Sequence, residues 1–286
     1  MFKAQFVTAI YSGLEGTRLN GNTAAIYDRY IQSLKSLADG GYSIVCYTSS
    51  RHYDDLVKYF TSTPNLKVVS EELESNYYHA DIDKIKGVDP KYTTEAAWRS
   101  RCVEIMWGKF IWLWKNVSEL DDTDSIFWID AGLFHGGLIT NKFRSEASKN
   151  FYDFDMITQH RDLYNDLCNY VGDKVLNIRS KQVNHGSDDF QKVYGYRPEF
   201  GVIGGMFGGK RDQVLSYIAE AFHHMQRVVD NGVLLKEEEI MYHLHQAHPD
   251  NFTQFSFNTW YHEDWEQMYR PGEDVSFSDF FKVLHG

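Results

Sequence analysis

Apolar positions in the first seventy residues alternate between two periods. Phe6-Val-Thr-Ala-Ile-Tyr11, Tyr42–Thr48 and Leu66–Val69 are short β-branched and aromatic runs that read as strands. Between the first two, Ala25, Ile26, Tyr30, Leu34 and Leu37 recur at helical spacing after Thr23, a capping residue, and Asp39-Gly40-Gly41 ends the pattern. His52–Phe60 reads as a short helix between the second and third runs. The order β-α-β-α-β predicts right-handed crossovers and a parallel sheet.

Glu71–Pro90 is polar and carries no clear period, so an irregular segment is expected there. Ala96–Asn116 has a strong helical stripe of Val103, Met106, Trp107, Phe110, Leu113 and Trp114. Such a stripe is core rather than a platform for bases. Arg99 falls near the middle of that face and Lys109 on its flank. An Arg on an apolar face must be paired, must snorkel, or must point into a site.

Asp124-Ser-Ile-Phe-Trp-Ile-Asp130 follows, an apolar strand that climbs to one carboxylate and breaks at Ala131-Gly132. Ligands of open α/β sheets bind at the carboxyl ends of strands. An acid there either caps the next turn or meets a ligand.

Beyond it, Phe154–Thr158 and Lys174–Ile178 are candidate strands, and Asn184–Gln191 reads as a polar loop with Asp188-Asp189 as a solvated pair. Phe200–Gly209 is an apolar strand rich in glycine, and glycine inside a strand marks close backbone or ligand approach. Asp212–Asn231 is an amphipathic helix, Glu237-Glu-Glu239 opens another through Ala247, and Asn251–Phe257 is strand-like. No repeat, low-complexity tract or linker interrupts the chain, so one unit over 1–286 is the expected partition.

Composition narrows the class. Of 286 residues, 43% are hydrophobic and 16% aromatic, which favours a large core over disorder. The net charge of −11 argues against a general nucleic-acid binder, whose footprint is basic. It also argues against a coat on anionic lipid, although a local basic patch would still permit peripheral membrane association. Cys46, Cys102 and Cys168 are widely spaced and form no CxxC. Free thiols, a reducing compartment and a cytoplasmic chain are the expectation. The first ten residues lack a signal-peptide layout, and no apolar run reaches membrane-spanning length.

Several chemistries lose support from the motifs. Ser12-Gly13-Leu-Glu-Gly16 is neither a Walker loop nor a dinucleotide fingerprint. His223-His224 and His243-x-His245 do not make a zinc helix, and no G-x-S-x-G elbow occurs. His135 and His262 stand out by position, yet each reads as a structural histidine before it reads as a ligand. Glu237-Glu238-Glu239 suits a helix N-terminus electrostatically. Consecutive helical positions fan out by about 100°, so at least one of these acids should face inward. The Gly201–Gly209 glycines are either a floor for a sugar or phosphate or a device for tight strand packing.

The order of these elements resembles a GT-A glycosyltransferase, an α/β protein with a Rossmann-like, mixed but mostly parallel sheet flanked by helices. More narrowly, the chain resembles the bacterial HtrL/YibB family with its WlaTB relatives. The matching segments are Phe6–Tyr11, Trp107-Gly-Lys109-Phe, Phe127-Trp-Ile-Asp130-Ala-Gly132, Gly204-Gly-Met-Phe-Gly208, Glu237-Glu-Glu-Ile240 and Trp260-Tyr-His262.

The resemblance implies transfer of a sugar from a nucleotide-diphosphate donor to a glycan or other acceptor, in surface polysaccharide or lipopolysaccharide synthesis. It implies a nucleotide-binding half over 1–132 and a sugar and acceptor half over 133–286. It assigns Thr8, Ala9 and Tyr11 to the nucleotide base and Lys109 or Arg99 to the diphosphate. Asp130 takes the place of the family's Asp-x-Asp metal motif, with Gly132 where its second acid would stand. Asp130 and His262 are the implied ligands of a divalent cation, Mn²⁺ or Mg²⁺. Gly204, Gly205 and Glu237 would line the sugar, and Glu238 would act in catalysis beside Asp130. Two other readings stay open at this point: a non-catalytic nucleotide- or carbohydrate-binding protein on the same fold, and a nucleotidyltransferase on a related sheet.

Overall fold

The computed structural model describes residues 3–11, 30–32, 34–35, 37–94, 101–122, 124–131, 163–180 and 188–257. Arg99, Gly132, His135, the candidate strand Phe154–Thr158 and His262 lie outside these described residues, as does the start of the first expected helix.

The described strands are β1 (Phe6–Ala9), β2 (Ile44–Thr48), β3 (Leu66–Ser70), β4 (Ser125–Ile129), β5 (Val175–Ser180), β6 (Gly201–Val202), β7 (Met206–Lys210) and β8 (Phe252–Phe257). They form one eight-stranded sheet in the order β3-β2-β1-β4-β7-β5-β6, with β8 on the free side of β5. The β3, β2, β1 and β4 pairings are parallel, and so is β5 with β8. The run from β4 through β7 and β5 to β6 is antiparallel. This is a mixed α/β sheet whose first half is the expected parallel arrangement.

Strand alternation builds a core on each face. Val7, Val45, Ile126, Trp128 and Phe207 point to one side, and Phe6, Ile44, Phe127, Ile129 and Met206 point to the other. The second face is covered by α1 (Ser50–Tyr59) and by helical residues within 30–39. On the first face α2 (His79–Val88) and α3 (Cys102–Val117) come first, and α4 (Leu163–Val171) returns to the second. Then α5 (Asp188–Tyr194), α6 (Arg211–Asp230) and α7 (Glu237–Ala247) complete the first face.

Two expected irregular segments are helical. Helix α2 lies inside Glu71–Pro90; of its own residues only Ile82 and Ile85 are buried, too sparse a stripe to register in the sequence. Helix α5 begins in the expected loop Asn184–Gln191, and Asp189 is not solvated. It is buried and accepts hydrogen bonds from Lys91 Nζ at 2.6 Å and the Tyr92 hydroxyl at 2.8 Å.

The glycine-rich run is two strands rather than one. β6 and β7 occupy successive stretches of the same edge of β5, and the chain between them, Ile203-Gly204-Gly205, leaves the ladder. Gly208 and Gly209 serve packing. Gly208 has φ +151°, and an added Cβ would lie 2.2 Å from the Ile126 carbonyl; at Gly209 it would lie 2.3 Å from the Lys174 carbonyl.

Candidate active site

Four ionisable side chains converge where the Gly204–Gly205 break meets the carboxyl end of β4. The parallel and antiparallel halves of the sheet join there, because β4 pairs with β1 on one edge and β7 on the other. The backbone N–H of Asp130 donates to the Gly205 carbonyl at 2.8 Å, which fixes the strand end against the break. Trp128 and Asp130 are two residues apart and share a face of the strand. The indole Nε1 of Trp128 accordingly donates to Asp130 Oδ1 at 2.8 Å.

Lys109 reaches this point from the middle of α3, where its side chain is 8% exposed. Its Nζ lies 3.0 Å from Asp130 Oδ1, 2.7 Å from Glu237 Oε1 and 3.0 Å from the Gly204 carbonyl. An ammonium has three N–H donors, and here all are used. The ammonium also sits 5.7 Å from the centre of the Trp128 ring. Burial alone would lower its pKa, but the Asp130 and Glu237 carboxylates outweigh that and hold it above its ordinary range.

The three acids that open α7 take separate tasks. Glu239 reaches back to the Lys236 N–H at 2.9 Å and closes the helix start. Glu237 is buried against Lys109, and its Oε2 has no hydrogen-bond partner among the described residues. Glu238 Oε1 accepts the Gly204 N–H at 3.2 Å. Desolvation, then the charge of Glu237, pushes the Glu238 carboxyl up to about 7, against the pull of Lys109 and of the Gly204 N–H. Glu237 and Glu239 are buried and Glu238 is half-buried. Gly204 is required by this arrangement, since a Cβ there would lie 2.5 Å from Glu237 Oε1.

Asp130 differs from its neighbours in exposure. Its side chain is 43% exposed, and both of its contacts fall on Oδ1, which leaves Oδ2 without a contact among the described residues. Three carboxyl groups against one ammonium make a site that repels phosphate unless a further cation enters. The residues therefore fit a hard divalent ion that takes Asp130 Oδ2 as one ligand and oxygen atoms of an anionic ligand as others. Lys109 holds Glu237 Oε1, while the buried Oε2 has no hydrogen-bond partner among the described residues.

A second set of possible metal ligands, His79, Asp83 and Glu104, lies on α2 and α3. Its charge is already met. Glu104 accepts from Lys86 at 3.3 Å and Arg101 at 3.1 Å, and His79 contacts Asp83 at 3.3 Å.

The β1 residues divide. Thr8 is fully buried. Tyr11 is buried too, with its ring stacked on Trp112 at 5.4 Å and its hydroxyl donating to the Glu71 carbonyl at 2.8 Å. Ala9 keeps part of its surface at the strand end. Of the residues singled out in the sequence, the structure brings together Asp130, Lys109, Gly204, Gly205, Glu237 and Glu238; Arg99 and His262 lie outside the described residues.

Trp128 was missed as part of the site. Its spacing of two from Asp130 on a strand was the available signal.

Two cavities, each of about 410 Å³, lie elsewhere. One is lined by Tyr196, Arg197, Glu199, Tyr242, His243, Gln246 and Ala247. The other lies at the opposite, amino end of β4, beside Asp124, Ser125 and Tyr164.

No family model matches the chain, and none of the curated proteins does either. Among solved structures, the apo form of mouse xyloside xylosyltransferase 1 superposes at a TM-score of 0.49 with 13% identity, over 99% of this chain and 94% of that one. At that score and identity the superposition assigns neither a family nor an activity to this chain.

Proposed function

We propose that the chain is a glycosyltransferase that moves a sugar from a nucleotide-sugar to a glycan or other acceptor, in the manner implied by its resemblance to the HtrL/YibB family. The observation that carries the reading is the cluster of Asp130, Lys109, Glu237 and Glu238 around the Gly204–Gly205 break, at the carboxyl ends of parallel strands. Ligands bind there in open α/β sheets, and the cluster supplies both charge stabilisation and a carboxyl poised near neutrality.

In this reading Asp130, with His262 and phosphate oxygens, holds a divalent cation. Such an ion would supply neutralisation of the charge on the departing diphosphate. Lys109 adds a fixed positive charge behind Asp130 and holds Glu237 in place. Gly204 and Gly205, whose backbone groups hold Glu238, Lys109 and Asp130, line the donor sugar in this reading. Ala9 offers the exposed point of β1 for the nucleotide, and Arg99 is a further candidate for the diphosphate.

An acceptor hydroxyl attacks the anomeric carbon, the bond to the diphosphate oxygen breaks, and that bond's electron pair leaves with the phosphate. If the product is inverted, Glu238 takes the acceptor proton. The surface-polysaccharide pathway, the cytoplasmic setting and the single unit over 1–286 belong to the same proposal. No helix among the described residues is long and apolar enough to cross a membrane.

The test is thermal unfolding with UDP-, GDP-, CMP- and dTDP-sugars, each with Mn²⁺ or Mg²⁺. One of them should raise the midpoint in the native chain and not in Asp130→Ala. If no nucleotide-sugar shifts it, the reading fails. A shift without turnover at any metal concentration would favour a non-catalytic binder, and pyrophosphate formed from a nucleoside triphosphate would favour a nucleotidyltransferase.

A further inference from the structure

The cavity of about 410 Å³ lies along α7, the helix whose first turn carries Glu237 and Glu238. Glu238, Tyr242 and Gln246 stand at i, i+4 and i+8, one ridge of the helix. With 1.5 Å of rise per residue, Gln246 lies about 12 Å along the axis from Glu238. The ridge starts at the carboxyl held by the Gly204 N–H and ends inside the cavity.

The polar groups along this ridge are fixed and directional. The Tyr242 hydroxyl accepts from the Glu199 N–H at 2.9 Å and from Gln246 Nε2 at 3.1 Å. Its two lone pairs are spent, so its own O–H is left to donate. Gln246 keeps its second N–H and its carbonyl oxygen, and the exposed Glu199 adds a carboxylate. The Tyr196 hydroxyl is locked to His243 Nδ1 at 2.7 Å, so the aromatic wall is held in place. Burial and the neighbouring His224 lower the pKa of His243 to about 4, so this contact is made by a neutral ring near pH 7.

The charges select among ligand classes. Arg197 is paired with Asp188 at 2.6 Å and Glu199 adds a negative charge, so the cavity offers phosphate or nucleic acid no net positive charge. Aromatic walls with a few convergent neutral hydrogen-bonding groups suit a polar, uncharged ligand with many hydroxyls.

We propose that this cavity is a carbohydrate-binding subsite, and that it holds the distal sugars of the acceptor glycan while the reacting hydroxyl lies near Glu238. The acceptor role rests on the transferase reading; the binding of a saccharide does not.

The experiment is retention of the whole chain on an immobilised set of neutral di- to tetrasaccharides, with no nucleotide present. Native protein should bind at least one of them. Ala247→Trp, which fills the cavity, and Gln246→Ala, which removes the amide, should each weaken retention about tenfold or more while unfolding close to the native temperature. Asp130→Ala should bind as the native chain does. Binding that survives Ala247→Trp, or no binding to any saccharide, would overturn the subsite. The transferase reading is scored separately by the nucleotide-sugar shift in melting, so failure of one is distinguishable from failure of the other.

Discussion

Lys109 Nζ lies 2.7 Å from Glu237 Oε1, with both side chains almost fully enclosed. Burying two charges is costly, and the pair persists because each also has further partners or a fixed geometry. Removing one partner leaves the other buried and uncompensated. Lys109→Met should therefore destabilise the fold by about 3–5 kcal/mol, measured by denaturant unfolding. Lys109→Met with Glu237→Leu should recover much of that loss, since an apolar pair of similar volume carries no desolvation cost. A single variant as stable as the native chain would mean that the pair is not buried as described.

Glycine at 204 and glycine at 208 should respond differently to alanine. At 204 the new Cβ meets the end of a side chain, Glu237 Oε1 at 2.5 Å; at 208 it meets backbone, Ile126 O at 2.2 Å, at φ +151°. A side-chain end can move aside, whereas paired strands cannot. Gly208→Ala should cost about 1–3 kcal/mol or more in unfolding free energy. Gly204→Ala should cost less stability, because the Glu237 carboxylate can shift while keeping Lys109 as its partner, but it should disturb the cluster and lower activity. Equal stability losses in the two variants would count against this contrast.

The raised pKa of Glu238, about 7, has a consequence for rate. A carboxyl that accepts a proton works only when ionised, so transfer should rise with pH and level off above an apparent pKa near 7. Glu238→Gln should lower turnover by about 10²–10⁴ and remove that limb of the profile. A profile with no limb near neutrality would remove Glu238 from the role of base.

His224 and His243 set the acid limit of stability. Their rings pack edge to face at 4.4 Å, and His243 stacks on Tyr194 at 3.8 Å. Burial is the main cause that lowers both from 6.5 to about 4. The unfolded chain binds these protons near pH 6.5, whereas the folded chain withholds them until about 4. Their contribution is therefore whole above about 6.5 and is lost as pH falls towards 4. The melting temperature should decline across that window, and His224→Gln with His243→Gln should flatten the decline. An unchanged slope in the double variant would contradict this assignment.

The parallel half of the sheet was legible because β1, β2 and β4 are buried almost throughout and read as continuous apolar runs, while the partly exposed edge strand β3 followed from the turn at Pro64-Asn65. Asp130 was legible for the same reason, as the only charge ending such a run. Helix α2 was not, because its two inward isoleucines are diluted by charge. Lys109 read as flanking its helix stripe, yet it is buried, since the carboxylates that compensate it come from β4 and α7. The break at Ile203–Gly205 was hidden for a related reason: a glycine in an apolar run looks the same whether it serves packing, as Gly208 does, or admits a carboxylate, as Gly204 does. Tyr194, His224 and His243 meet only through tertiary packing, and no spacing in the chain announces them.

The most direct measurement is release of nucleotide from nucleotide-sugars, followed with Mn²⁺ or Mg²⁺ present, in the native chain, Asp130→Asn and Glu238→Gln. Asparagine keeps an oxygen for the Trp128 indole while removing the charge, so the fold should hold. The account predicts release with one nucleotide class, lost by orders of magnitude in both variants while each unfolds at close to the native temperature. Release that continues unchanged in both would show that the chemistry, wherever it occurs, does not pass through the cluster around Lys109.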